Sequence, residues 1–334
     1  MQRVIIPKMF GILYTYSVPY SPVDKKHFQG YAFRNYGVIL NTPLPTVDGI
    51  GPSCLRLPDG PWKNILEYLE ERFPNVKSAT WISRMSKGEV VDERGIPLSA
   101  GSLCRRGTFV FYYRELEQET PIPFEENILY QDDHILVADK PHFLPVVPSG
   151  RFLRETLLIR LKKRLNLEHL VPIHRIDRET AGVVIFSHNP KTRGDYASLF
   201  HKREIKKVYE ALAPTLPGAH YPMIRRSCLA EGEPFFRMKE VEGVPNSETR
   251  IDVLVNMGNM TLYRLTPVTG RKHQLRVHLA ALGIPIINDK LYPDVQPFKT
   301  DDFSFPLKLL ARVISFPDPL TGQDRYFKSS RELL

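Results

Sequence analysis

Apolar positions at helical spacing first become clear at Ile65, Leu66, Leu69 and Phe73, which share one face of a helix. Its start is read at Asp59-Gly60-Pro61, with Asp59 or Gly60 as N-cap and Pro61 near the first turn, where the missing N–H is no loss. A second short helix is expected after Ser78, turning Trp81, Ile82 and Met85 inward and stopping at Gly88. Val90-Val91 and the run Thr108 to Tyr113 read as strands, with a turn at Asp92 to Gly95 between them. Residues 1–58, rich in Pro, Tyr and Gly without a sustained period, read as an N-terminal extension of irregular or strand-like structure or partial disorder.

Residues 116–124, with Pro121 and Pro123, read as a linker, which makes 59–115 a small module and 125–334 a larger domain. In the larger domain, Ile135 to Ala138 and Val183 to Phe186 are short apolar runs expected to be buried strands. Between them Glu155 to Leu167 reads as a helix with Leu157, Leu158, Leu161 and Leu165 inside. Arg160, Lys162, Lys163 and Arg164 lie around the rest. A strand from Ile205 would set Ile205, Lys207, Tyr209 and Ala211 on one face. After Thr269-Gly270 a helix is expected through Leu279 and Leu282 to Gly283. From Ile128 onward the pattern is one of mixed helices and strands.

Composition adds little to this and excludes something. The 334 residues carry 46 Lys plus Arg against 37 Asp plus Glu, a modest positive field suited to a polyanion. Cys54, Cys104 and Cys228 are odd in number and form no CxxC pair, so neither a disulfide framework nor a zinc ribbon is indicated. With no long apolar run and no signal-like N-terminus, the expectation is a cytoplasmic protein that does not engage membranes.

Three polar clusters interrupt the apolar pattern. The first is His174-Arg175-Ile176-Asp177-Arg178-Glu179-Thr180-Ala181-Gly182, where two flanking arginines would favour an ionised Asp177. By spacing alone, an ion-paired loop is the better reading of it. The second, around Arg203, Lys207 and Tyr209, pairs a cation with an aromatic hydroxyl, a combination suited to holding a phosphate and stacking on a base. A snorkelling lysine beside a half-buried core tyrosine is the more common arrangement. In the third, Gly270 to His278, the backbone N–H groups at a helix start stand near Arg271, Lys272 and Arg276 and could hold an anion. His273 and His278, five apart, do not share a helical face as zinc ligands would. No metal or cofactor is expected.

Together, and in this order, the clusters resemble the RluA family of RNA pseudouridine synthases. The family's His-Arg-Leu-Asp-x-x-Thr-Ser-Gly pattern appears as His174 to Gly182, with Ile176 for Leu and Ala181 for Ser. Its Arg-x-Val-x-Lys-x-Tyr-x-Ala pattern appears at Arg203 to Ala211, with Ile205 for Val. Its Gly-Arg-Thr-His-Gln-Leu-Arg-Val-His pattern appears at Gly270 to His278, with Lys272 for Thr. Shorter matches include Asp139-Lys140-Pro141, Gly283-Ile284-Pro285-Ile286 followed by Asp289 and Tyr292, and Asp318 to Gly322.

The resemblance implies an α+β catalytic domain built on a large mixed, mostly antiparallel sheet flanked by helices. It implies Asp177 as nucleophile, attacking the sugar or assisting another route, with Tyr209 stacking on the uracil and helping to remove the ring proton. Arg276 would pair with Asp177, Arg175 would fill the space of a flipped nucleotide, and Leu275 or Val277 would wall the base pocket. His174, Arg178, Thr180, Arg203, Lys207, Arg271, His273 and Gln274 complete the expected RNA contacts, and Arg160 to Arg164 are available for the backbone.

Residues 59–115, with Arg72, Lys77, Arg84 and Lys87, resemble an S-four-type RNA-binding module. Large-subunit ribosomal RNA is the expected substrate, transfer RNA the second choice, and the protein is expected to act as a monomer. A noncatalytic RNA-binding factor on the same fold is the main rival. A glycoside hydrolase using Asp177 with Glu179 or Glu210 is a more distant one.

Overall fold

The computed structural model describes residues 42–47, 49–114, 119–297 and 302–333, so most of the extension expected over 1–58 lies outside the described residues. Two compact units, Met1–Leu116 and Glu117–Leu334, divide the chain. The first contains β1 (Ser53–Arg56), α1 (Ile65–Arg72), α2 (Ser78–Ser86), β2 (Val90–Asp92) and β3 (Phe109–Tyr112). Its three strands pair antiparallel in the order β1-β3-β2. Leu55, Ile65, Leu69, Trp81, Val90 and Val110 form its core, which is why two short helices suffice to cover so small a sheet. β1 thus joins the small sheet from within the stretch read as an extension.

Three local expectations change. α1 begins later than Pro61: Asn64 is its N-cap, accepting the Glu67 N–H at 2.9 Å, so the cap is an amide side chain and the Asp59-Gly60-Pro61 run precedes the helix. Ile82 faces outward at 48% exposure, because the packed face of α2 carries Trp81, Arg84 and Met85 and Ile82 falls on the other side. Arg84 is buried against the Trp81 ring, 5.1 Å from its centroid, and so is not exposed to solvent as Lys77 and Lys87 are.

The second unit holds β4 (Asn127–Gln131), β5 (Ile135–Lys140), α3 (Leu157–Leu165), β6 (Val171–Pro172), β7 (Ala181–Ser187), α4 (Arg193–Lys202) and β8 (Lys206–Pro214). There follow β9 (Met223–Glu231), β10 (Met238–Val241), β11 (Ser247–Asn256), β12 (Met260–Pro267), α5 (Gln274–Ala281), β13 (Leu309–Pro317) and β14 (Asp324–Lys328). Its sheet runs β10-β9-β11-β12-β8-β13-β7-β5-β4, with β14 on β13 and β6 on β7. Among the described ladders only β13 against β7 is parallel. The fold is therefore the mixed α+β architecture expected, with a large, mostly antiparallel sheet.

One crossing in this sheet positions the polar clusters. β13 comes from near the end of the chain and inserts between β7 and β8, where Ala311 is the register partner of Gly182 on one side and Tyr209 on the other. Gly182 has φ +115°, and a Cβ there would fall on the Ala311 carbonyl, so glycine is what permits this approach. α5 then packs Leu275 and Leu279 into a cluster with Ala211, Tyr263, Leu265 and Leu309, which fixes the helix near Tyr209.

α3 departs from its expected use. Arg160 donates to the carbonyls of Ile122 (2.6 Å) and Phe124 (2.7 Å) and pairs with Glu155 and Glu126, so it is engaged inside the unit and not offered to a nucleic-acid backbone. Residues 119–124 of the stretch read as a linker are held to this unit, since Glu119 also accepts the N–H groups of Leu153, Arg154 and Glu155.

Candidate functional site

Asp177 lies in the loop between β6 and β7, at the wall of a cleft of about 590 Å³. That loop is fixed by its own backbone and by a lysine. Thr180 donates its N–H to the Asp177 carbonyl at 3.2 Å, and buried Lys140, at the end of β5, donates to the carbonyls of Pro141, Leu144 and Arg178 at 2.7–3.0 Å. Burial pushes Lys140 down to about 7 while Glu179 and Asp177 pull the other way. Three carbonyl acceptors match the three donors of an ammonium, so the geometry favours the charged form.

Arg276, on α5, is 1% exposed and is gripped by Asp289, with Nε to Oδ2 at 2.7 Å and Nη2 to Oδ1 at 2.6 Å. A bidentate carboxylate fixes the guanidinium plane. Its remaining Nη1 is 3.4 Å from Asp177 Oδ2. His273 Nε2 stands 3.9 Å from the same oxygen. Both contacts fall on Oδ2, so among the described residues Oδ1 has no hydrogen-bond donor.

Burial alone would raise the Asp177 carboxyl, but His273, Arg276 and Lys140 outweigh it and hold it below the ordinary aspartate value. His273 is itself pushed down to about 4 by burial, so near neutral pH the cations acting on Asp177 are Arg276 and Lys140. Of the flanking arginines, Arg175 is within electrostatic reach of Asp177, but Arg178 is not among the causes. Arg178 turns away, donating Nε to the Phe143 carbonyl at 2.9 Å and lying 4.7 Å over the Phe152 ring.

Tyr209 and Lys207 line the same cleft from β8, as the strand period requires. Burial and the Asp177 charge raise the Tyr209 hydroxyl, so the phenol is neutral near pH 7. Thr180, Arg175, Arg271 and Leu275 also line the cleft. Val277 does not, because two residues further along α5 it joins Leu229 and Tyr292 in another cluster. Arg203, in left-handed conformation at the end of α4, lines an adjoining recess of about 440 Å³ that shares Lys207 and Arg271 with the cleft.

Two further expected RNA contacts have internal partners. His174 accepts the Ile185 N–H on Nε2 at 3.1 Å and stacks on Phe200, and burial pushes it down to about 3, as an acceptor nitrogen requires. Gln274 is 4% exposed and bonds Thr269, Arg271, Glu248 and Thr249, bracing the start of α5. Glu210 is paired with Arg312 at 2.6 Å, which removes it as a second carboxylate beside Asp177. Asp289, Lys140 and Tyr292, the residues that hold Arg276, the loop and His273, entered the sequence reading only as matches to short motifs.

A family model described as RNA pseudouridylate synthase matches residues 134–281. The chain is 33% identical over 224 residues, 65% of its length and 98% of the relative's, to the dual-specificity RNA pseudouridine synthase RluA of Haemophilus influenzae. It belongs to the RluA-type RNA pseudouridine synthases. The chain is thus an isomerase acting on RNA. It is also 28% identical over 239 residues to the mitochondrial tRNA pseudouridine(32) synthase of Saccharomyces cerevisiae, covering 69% of this chain and 50% of that one. Among solved structures, human RNA pseudouridylate synthase domain containing 1 shares the synthase fold with a TM-score of 0.51 at 23% identity, over 64% of this chain and 86% of that one.

Proposed function

We propose that this synthase isomerises a uridine of ribosomal RNA, with Asp177 as nucleophile, Arg276 as its counter-ion and Tyr209 as the stacking partner of the uracil. One observation carries the assignment. Asp289 locks Arg276 so that its free nitrogen meets Asp177 Oδ2, leaving Oδ1 without a donor among the described residues, in a cleft that Tyr209 and Lys207 also line. The C1′–N1 bond breaks, the base turns, and C5 joins C1′ while the C5 proton leaves and N1 gains one. The isomerisation is redox-neutral. Asp177 enters it already ionised, and either attacks the sugar or assists cleavage by another route.

Tyr209, with its raised hydroxyl, acts first as a neutral stacking and hydrogen-bonding group. Removing the C5 proton would require the phenol to pass its own proton on. Arg175, exposed beside Asp177, fills the gap left when the target nucleotide leaves its neighbours. Arg203, Lys207 and Arg271 around the adjoining recess hold the flanking phosphates, so binding weakens steeply with salt.

The unit built from β1 to β3 serves as an S-four-type RNA-binding module through Lys77 and Lys87, and this module is the ground for placing ribosomal RNA first. The yeast relative's stated transfer-RNA specificity supports transfer RNA as the second reading. A pseudouridine map of total RNA from cells with and without the gene decides between them. Loss of one ribosomal site is the expected result, loss of a transfer-RNA site selects the second reading, and an unchanged map overturns both.

A further inference from the structure

His273 has a conformation and a set of partners that the roles above leave unexplained. It precedes α5 with φ 55°, a left-handed backbone that few side chains other than glycine and asparagine adopt without cost. Its Nδ1 is 2.8 Å from the Tyr292 hydroxyl, and that hydroxyl accepts the Met238 backbone N–H at 2.8 Å. Its Nε2 points at Asp177 Oδ2.

The direction of this chain of hydrogen bonds follows from donor counts. A backbone N–H only donates, so Tyr292 is an acceptor toward Met238. Tyr292 is 3% exposed, and its own O–H proton has to find an acceptor within the protein. Nδ1 of His273 is that acceptor if it carries no proton. The opposite tautomer would strand the Tyr292 proton and turn a nitrogen lone pair toward a carboxylate, so both ends of the ring select the same form.

We infer that Tyr292 fixes His273 as the neutral Nε2–H tautomer, making it a positioning residue that holds the Asp177 carboxylate by Oδ2 and leaves Oδ1 as the reacting oxygen. The 3.9 Å separation is longer than a hydrogen bond and shortens when substrate fills the cleft, as contacts in free active sites commonly do. Burial lowers His273 to about 4 and raises the Tyr292 hydroxyl, so neither ionises near neutral pH and the relay keeps one direction. The Tyr292 ring is held in place by Arg237 and Arg276, 5.0 and 5.3 Å from its centroid.

The inference rests on the assignment of Asp177 as nucleophile and is tested separately from it. NMR of the full chain with isotopically labelled histidine nitrogens, the His273 signal being identified by its loss in His273→Asn, reads the tautomer directly. The expected signal is Nε2–H, unchanged between about pH 6 and about 8. An Nδ1–H form or an imidazolium overturns the inference, whatever the activity.

Tyr292→Phe keeps the packed ring and removes the donor. It should give mixed tautomers and a kcat lower by about tenfold, the equivalent of one hydrogen bond of ~1.4 kcal/mol, with KM for RNA unchanged. The acid limb of kcat should also move up, since a carboxylate that loses a donor is easier to protonate. Asp177 is faced by Lys272, His273 and Arg276 around the start of α5, by Lys140 from β5, by Tyr209 from β8 and by Glu179 and Arg175 of its own loop. Of these only His273 changes its hydrogen bonding in this variant. Wild-type kcat and an unmoved acid limb in both variants would overturn the positioning role. Wild-type protein that converts no uridine would fail the functional assignment and leave the tautomer reading intact.

Discussion

Arg276 on α5 and Arg160 on α3 begin alike and end differently. Each leaves a short helix in the second unit, each is largely buried, and each meets carboxylates. Arg160 spends all its directions inward, on Glu155, Glu126 and two carbonyls, and so ties 122–126 to the helix. Arg276 is also fixed by an internal carboxylate, Asp289, but one nitrogen is left over and faces Asp177. A buried arginine becomes part of a reactive site when its anchor satisfies some of its five donors and the surplus points into a cleft.

Four experiments sharpen or break that contrast. The largest effect is expected from Asp177→Asn, which should bring pseudouridine formation on an authentic transcript below detection while the chain still binds the RNA. Substantial turnover would remove Asp177 from the nucleophile's role. Arg276→Ala should come next, because it strands Asp289 as well as uncovering Asp177; removing one partner of a buried pair typically lowers stability by about 3–5 kcal/mol. Arg276→Lys keeps a charge without the planar fork, and conversion by it at the wild-type rate would show that charge alone is what Asp177 needs.

Arg160→Ala should destabilise by about 2–4 kcal/mol through its stranded partners, read as a lower urea midpoint, and leave the salt dependence of RNA binding unaltered. A salt slope shallower by about one would place Arg160 on a phosphate and dissolve the contrast. The smallest effect concerns pH. Asp177 has a folded value below its unfolded one, so its ionised form contributes stability above the ordinary aspartate range, and that contribution is lost as pH falls through the folded value. Thermal melts of wild type and Asp177→Asn should therefore converge only in strong acid, and convergence already at about pH 5 would contradict the lowered value.

Much of this was legible in residue order. The strands at Ile135 and Val183, the helices beginning near Glu155 and after Gly270, and the pairing of Lys207 with Tyr209 on one strand face all follow from apolar spacing and strand period, which are local properties. Where the reading failed, the deciding factor was what a side chain touches. Ile82 and Arg84 exchanged their expected sides because one face of α2 packs on Trp81's neighbours. Residue order points to Arg175 and Arg178 as what keeps Asp177 ionised, but Arg178 is taken up by Phe143 and Phe152 and the larger influences come from His273, Arg276 and Lys140. The anchor Asp289 is visible in sequence only as part of a short motif match, which says nothing of the arginine it holds.

The sequence by itself determined which residue types are present for the chemistry, the secondary structure that carries them and, through three motifs in order, the family. Only the tertiary structure decided their company. Asp177 and Tyr209 lie near one cleft because β13, some hundred residues further along the chain, pairs Ala311 with Gly182 and with Tyr209. Arg276 faces Asp177 because Asp289 turns it, and His273 does so because Tyr292 leaves only one nitrogen for its proton. Spacing along a chain fixes which face of an element a residue occupies. Which carboxylate, carbonyl or hydroxyl then meets it depends on pairings between distant segments, and those are set by the packing of the whole sheet.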